Sequence, residues 1–221
     1  MSRPRSETIE ELHELGIIIN RREIFLGKES GPDGDDTDYK SAMKFIKNMR
    51  LLQQFGGGKD NPIVVHQMID GGEWCAGMAI FDAIASSESH VTIVCHGSAM
   101  SMGSIIPQAA DLRIMMPNSV FMIHGGSTDV SDVMTYKQGQ SWAAFETNTM
   151  NKMLDIYAGV CQQGKLFKGK SVGIIKNSLR KRLDAKEDWI INARDAVEHG
   201  FADAVLGDPG YSTLNEILNK R

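Results

Sequence analysis

The chain reads as an α/β protein built on a mostly parallel sheet. Three observations predict this. Runs rich in β-branched residues recur: IVVHQMI at 63–69, VTIVCH at 91–96, then LRIMMP and SVFMIHG at 112–117 and 119–125. Stretches with apolar residues at helical spacing lie between them. The order is strand, helix, strand, helix, strand, helix, strand, and such alternation favours crossover connections and parallel pairing.

Taken in order, residues 1–16 are charged and predict a mobile or helical arm. REIFLG at 22–27 predicts a strand stopped by glycine. KESGPDGDDTDY at 28–39 predicts an exposed loop, with Asp35, Asp36 and Asp38 as a solvated acidic run. A calcium loop is disfavoured, because the ligand spacing and terminal bidentate Glu are missing. SAMKFIKNMRLLQQF at 41–55 places Met43, Ile46, Met49, Leu52 and Phe55 on one stripe, a helix that GGGKDNP breaks. After IVVHQMI, the stretch DGGEWCAGMAIFDAIASS at 70–87 turns through two glycines into a second helix. VTIVCH is the next strand and SMGSIIPQAA the next helix. Residues 131–161 predict one or two long helices. KLFKGKSVGIIKNSLRKRL at 165–183 is basic, and Arg180, Lys181 and Arg182 fit a solvated helix face better than a docking patch. ARDAVEHGFAD at 193–203 predicts a short helix with Gly200 as its C-cap, followed by a last strand in DAVLG.

A length of 221 residues, 42% hydrophobic and 24% charged, suits one soluble domain with a full core, or at most a domain with a small appendage. A net charge of -4 gives no reason to expect nucleic acid as a partner. No apolar run approaches the roughly 20 residues of a membrane span, and the charged N-terminus lacks the apolar core of a secretory signal. Cys75, Cys95 and Cys161 lack CxxC spacing, which argues against disulfides and zinc and for reduced, buried or semi-buried thiols. Met78, Met100, Met102 and Met122 fit adaptable core packing, with an apolar groove as the sharper alternative.

The stretch GSAMSMG at 97–103, followed by Ser104, sets hydroxyls between a strand and a helix. A serine needs a base, an orienting acid and oxyanion donors to act as a nucleophile. Among the histidines, His13 and His90 read as exposed and His66 and His96 as structural. His199 reads as a cation aiding a helix dipole. His124 ends the strand FMIH before two glycines, which projects its side chain toward a cleft. Gly71 and Gly72 sit between a strand and a helix, where backbone amides are free; the amide after Ser101 is placed likewise. Ser98, as a possible cap, and Ser104, one turn into the helix, remain alternatives to Ser101.

In the same order and spacing, several stretches resemble the Clp protease proteolytic subunit (ClpP) family, serine peptidases of the ClpP/crotonase-type fold. They are REIFLG; DGGEWCAGMAIFDAI against SPGG-x₃-AGM-x-IYD; CHGSAMSMG against GxAASMG; MPNSVFMIHGG against LPNSRVMIHQP; and DAKEDWIINARDAVEHGFAD against DTxRDxxxSAxEAxxYGLID. The resemblance implies a ClpP/crotonase-type fold of repeated β-β-α and βα units with a protruding helical handle. The expected layout is an arm at 1–21, a catalytic head at 22–126 and 184–207, a handle at 127–183 and a tail at 208–221.

The resemblance also implies a site. Ser101 falls on the nucleophile, His124 on the base, and Asp188 on the triad acid, with Asp184 at the motif's first aspartate. Gly72 and Met102 fall on the oxyanion amides, and Gly71, Gly125 and Gly126 on backbone that contacts substrate. The implied activity is serine-type endopeptidase cleavage of peptides or unfolded proteins, with no metal or cofactor. The implied assembly is a homo-oligomer of heptameric rings, stacked as a tetradecamer, with an AAA+ unfoldase as partner and a cytoplasmic setting without nucleic acid or membrane. The alternatives are a catalytically inactive ring subunit, a virus-type protease that processes capsid or scaffold proteins, and a crotonase-like acyl-CoA hydratase or thioesterase. The sequence departs from the pattern at Asp70, which stands where SPGG has proline, and at MIHGG, which lacks the Gln and Pro of MIHQP. It also departs at 165–183, which reads as an insertion, and in the longer loops at 28–39 and 56–61.

Overall fold

The computed structural model of the chain describes residues 9–27, 36–126 and 134–218. The expected loop residues 28–35, Asp35 among them, lie outside the described residues, as do 1–8, 127–133 and 219–221.

Among the described residues, one eight-stranded sheet organises the chain. Strand β1 (Ile17–Ile18) is antiparallel to β2 (Glu23–Gly27). From there the order is β3 (Ile63–Ile69), β4 (Val91–Met100), β5 (Leu112–Met115) and β8 (Ala204–Val205), all parallel. The alternation of strands with helices therefore predicts the right class. Strand β6 (Val120–Ile123) runs parallel to the end of β4, and β7 (Trp189–Asn192) runs antiparallel to β6.

Strand β4 corrects one expectation. It does not stop at His96 but continues through GSAM to Met100. Its first half pairs with β5 at Thr92–Cys95, and its second half pairs with β6 at Ser98–Met100. Gly97 takes φ 57°, and the register against β3 shifts between Gln67 and Ile69. A glycine at such an irregularity redirects a strand without ending it, so the sheet forks here.

Side chains alternate across the strands. Ile63, Val65 and Ile69 enter the main core, whereas Val64 joins Val94, Ile114, Ala204 and Ile217 in a smaller cluster. Helix α1 (Tyr39–Gln54) buries Phe45, Met49 and Leu52. The predicted stripe is rotated: Phe45 replaces Met43, which is exposed, as is Phe55 beyond the helix end. Helix α2 (Trp74–Ala85) buries Ala76, Gly77, Met78, Ile80 and Ile84. The helix expected over SMGSIIPQAA is only α3 (Met102–Ile105) and a 3₁₀ turn at Ile106–Ala109, because Pro107 supplies no amide to continue the ladder.

Helix α4 (Tyr136–Cys161) is one continuous helix, started by a capping box between Thr135 and Gln138. Its C-terminal half buries Leu154, Tyr157, Ala158 and Cys161, while Tyr136, Trp142 and Phe145 in its first half are exposed. The stretch read as an insertion contains helix α5 (Val172–Lys186), which packs back on α4 through Ile175, Leu179 and Leu183. Its basic residues are partly tied down. Arg180 donates to Asn151 at 2.8 Å, and the Arg182 guanidinium lies over the Trp189 ring. Helix α6 (Ala193–His199) ends at Gly200 in the left-handed conformation, as predicted. His199 is buried rather than a dipole-complementing cation, and burial pushes its pKa down. Helix α7 (Leu214–Leu218) covers the smaller cluster. The buried Cys95 and Cys161 match expectation, but Cys75 is exposed. Among the described residues, no helix is long and apolar enough to cross a membrane.

Candidate active site

Ser101 occupies the turn between β4 and α3, with φ 50° and ψ −121°. A non-glycine residue holds that conformation only under constraint from its surroundings. Such a strand–turn–helix elbow lifts a hydroxyl off the sheet edge. The Ser101 amide donates to the Met122 carbonyl at 3.1 Å, which fixes the turn against β6.

Sheet register brings three distant segments together. Met100 pairs with Met122, and Ile123 pairs with Trp189. Continuing each register by one residue sets Ser101 beside the end of β6, and sets His124 opposite Asp188. His124 Nε2 lies 2.7 Å from Ser101 Oγ, a hydrogen bond. His124 Nδ1 lies 3.6 Å from Asp188 Oδ1, an ion-pair distance outside hydrogen-bond range. The Asp188 side chain is 61% exposed, against 26% for His124. Glu187, just before it, has φ 41°. Asp184 lies within α5, in the preceding turn.

The other two serines have different surroundings. Ser98 is in the strand, paired with Val120. Ser104 is fully buried, donates to the Ser101 carbonyl at 2.6 Å and lies 2.7 Å from the Tyr157 hydroxyl. Burial pushes the Tyr157 pKa upward, so both hydroxyls act as neutral groups supporting the turn.

Gly71 and Gly72 follow the end of β3, Gly71 on the Ser101 side and Gly72 against Thr37. A Cβ on Gly71 would meet the Ser101 Cβ at 3.2 Å, and one on Gly72 would meet the Thr37 carbonyl at 2.4 Å. Among the described residues, neither glycine amide has a protein acceptor. The Met102 amide opens α3, where helix amides lack intrahelical partners. Gly125 lies over Met150, whose methyl would be 2.8 Å from an added Cβ, and a Cβ on Gly126 would meet nothing within 4 Å among the described residues.

The segment at 36–38 is not the wholly solvated run that its composition predicts. Asp36 accepts from the Asp70 amide at 2.6 Å. Thr37 is fully buried, pairs with Gly72, and accepts from the Glu73 amide at 2.8 Å. Asp38 caps α1 in a capping box with Ser41, whose amide holds the carboxyl below the usual carboxylate range. An Asp three residues before Ser at the start of an apolar stripe is a cap signature, and the sequence carries it.

A separate cavity of about 570 Å³ opens on the other face of the sheet, lined by Phe25, Met68, Leu214, Glu23, His66 and His96. His66 Nδ1 lies 3.1 Å from His96 Nε2, and His66 stacks on Phe25. Burial and the neighbouring His96 lower the His66 pKa to about 4. Among the described residues, no group of three or more His, Cys, Asp or Glu is arranged to hold a metal ion.

The forked, mostly parallel sheet with its flanking helices has the ClpP-type fold. A ClpP1 mutant from Listeria monocytogenes is similar, with a TM-score of 0.65 at 20% identity over 85% of this chain and 92% of that chain. The chain belongs to the Clp protease family, whose model matches residues 7–209. An ATP-dependent Clp protease proteolytic subunit of Deinococcus radiodurans is 29% identical over 191 residues, 86% of this chain and 82% of that protein. The chloroplastic proteolytic subunit 3 of Arabidopsis thaliana is 27% identical over 92% of this chain, and the match spans 59% of that protein's length. A proteolytic subunit of Chlorella vulgaris is 30% identical over 65% of each chain.

Proposed function

We propose that the chain is a serine endopeptidase acting on peptides or unfolded proteins. The observation that carries this reading is the 2.7 Å hydrogen bond between His124 Nε2 and Ser101 Oγ at the strained elbow. His124 Nε2 takes the Ser101 proton as Oγ attacks the peptide carbonyl. The carbonyl oxygen gains negative charge and is held by the Gly72 and Met102 amides. In other enzymes one such donor contributes about 3–4 kcal/mol. Collapse of the intermediate breaks the C–N bond, and His124 gives its proton to the leaving amine. Water, activated by the same histidine, then frees the acyl group from Ser101. Asp188 orients the imidazole and stabilises its cationic form. Gly71, Gly125 and Gly126 offer backbone without side-chain obstruction, suited to an extended peptide.

The exposed Tyr136, Trp142 and Phe145 on α4 support association with further copies, in the ring assembly that the family resemblance implies. The cavity beside Phe25, Met68 and Leu214 supports docking of a partner's apolar segment, such as a loop of an ATP-driven unfoldase. A second reading has one observation in its favour. The 3.6 Å gap to an exposed Asp188 fits a subunit that is inactive alone and completed by assembly.

The test is labelling with a fluorophosphonate, with a heat-denatured control and the modified peptide mapped by mass spectrometry. Selective labelling of folded Ser101 is expected. Labelling absent from both the isolated chain and its assembled form would remove the peptidase reading.

A further inference from the structure

The four residues Asp70–Glu73 carry successive backbone amides between β3 and α2, and the structure uses them unequally. The first donates to the Asp36 carboxylate at 2.6 Å, and the last to the Thr37 carbonyl at 2.8 Å. Those of Gly71 and Gly72, between them, have no protein acceptor among the described residues. The Asp36–Asp38 strap is itself fixed. Asp38 and Ser41 lock it to the start of α1, and Thr37 is fully buried against Gly72, where an added Cβ would stand 2.7 Å from the Thr37 amide nitrogen. On the other side, a Cβ added to Gly71 would stand 3.2 Å from the Ser101 Cβ. The glycine pair is therefore held between the strap and the elbow.

We propose that Asp36 is a positioning residue for the oxyanion-binding backbone. Its carboxylate grips the Asp70 amide while Thr37 grips that of Glu73, so the Gly71–Gly72 peptide is clamped at both ends and its free amides are aimed at the Ser101 side. This clamp depends on a departure in the sequence. A proline at position 70, as in the SPGG pattern, has no amide hydrogen to give Asp36; Asp70 supplies one. The proposal rests on the reading of Gly72 as an oxyanion donor. Donor placement acts on the transition state, so loosening the clamp lowers kcat and leaves KM nearly unchanged.

The test uses the full chain in its native assembly, with Asp36→Ala, Asp36→Asn, Asp70→Pro and the Asp36→Ala/Asp70→Pro pair. Peptide hydrolysis and hydrogen exchange across Ile69–Trp74 are both measured. Asp36→Ala is expected to lower kcat about tenfold, below the roughly 10²–10³ of losing a donor outright. Asp36→Asn, whose amide oxygen accepts the same bond, should restore most of it. In the Asp70→Pro background, Asp36→Ala should cost nothing further, because the donor is gone. Three results would each overturn the clamp: an unchanged kcat in Asp36→Ala, equal losses in the Ala and Asn variants, or a further loss of about tenfold from Asp36→Ala in the Asp70→Pro background. If the wild-type chain hydrolyses no peptide, the peptidase reading falls separately. Hydrogen exchange then decides the clamp: faster exchange of the Asp70 amide in Asp36→Ala sustains it, and unchanged exchange overturns it.

Discussion

His124 reaches its two proposed partners unequally, and Asp188 is the distant one: His124 Nδ1 and Asp188 Oδ1 stand 3.6 Å apart. Strands β4 and β6 are direct neighbours, so the serine–histidine pair is locked by sheet pairing. Asp188 enters from the far strand, past a residue at positive φ, and faces solvent. A loosely held, solvated acid contributes less than a buried one. Asp188→Asn should therefore reduce kcat/KM by roughly a hundredfold, against about 10⁴ for a buried triad aspartate. Ser101→Ala should leave no measurable cleavage. A loss for Asp188→Asn as deep as that of Ser101→Ala would show that the gap closes in the working enzyme.

Ser104 is fully buried and hydrogen-bonded to the turn at Ser101. Ser104→Ala strands the buried Tyr157 hydroxyl and should destabilise the fold by about 1–3 kcal/mol, read from chemical denaturation. Most of the peptide cleavage should survive in the folded fraction. Ser98→Ala should keep both stability and cleavage within about 0.5 kcal/mol of wild type.

Helix α5 positions the approach to Asp188. Leu179 is almost fully buried between α5 and α4. Leu179→Ala should cost about 2–5 kcal/mol by cavity formation. Cleavage should fall more than the folded fraction does, because α5 leads directly into Glu187 and Asp188. A proportional fall in both would detach the helix from the site.

Acid should weaken the fold through His66. Its folded pKa of about 4 lies below the ordinary 6.5, mainly because of burial and then because of His96 and Arg21. The unfolded chain therefore binds the proton first. Stability is full above the unfolded value and declines as pH falls toward 4, by at most about 3 kcal/mol from this residue. Glu23, raised by burial, opposes this trend with its own titration. Thermal melts of His66→Phe should show a shallower decline over the same window. An identical slope would assign the acid sensitivity elsewhere.

The legible parts of the fold are those governed by local chemistry. IVVHQMI can be read to the residue because seven apolar or β-compatible side chains are bounded by Pro62 and Asp70. His124 is legible because a strand running into glycines has few other uses. The continuation of β4 through GSAM is not legible: glycine and serine favour a turn, and only pairing with β6 overrides them. The two-residue β1 leaves too little pattern to recognise. The role of Asp36 stays hidden because an aspartate that accepts a distant backbone amide looks, in sequence, like any solvated aspartate. The meeting of Ser101, His124 and Asp188 depends on strand register, which residue patterns constrain only through the fold as a whole.

Ser101 has φ 50° and ψ −121°, a conformation that costs a side-chain-bearing residue about 1–3 kcal/mol and glycine far less. Ser101→Gly should accordingly unfold at a higher temperature than Ser101→Ala. Folding alone would drift toward glycine at this position. A serine at this position carries its hydroxyl at the expense of the stability that glycine would give.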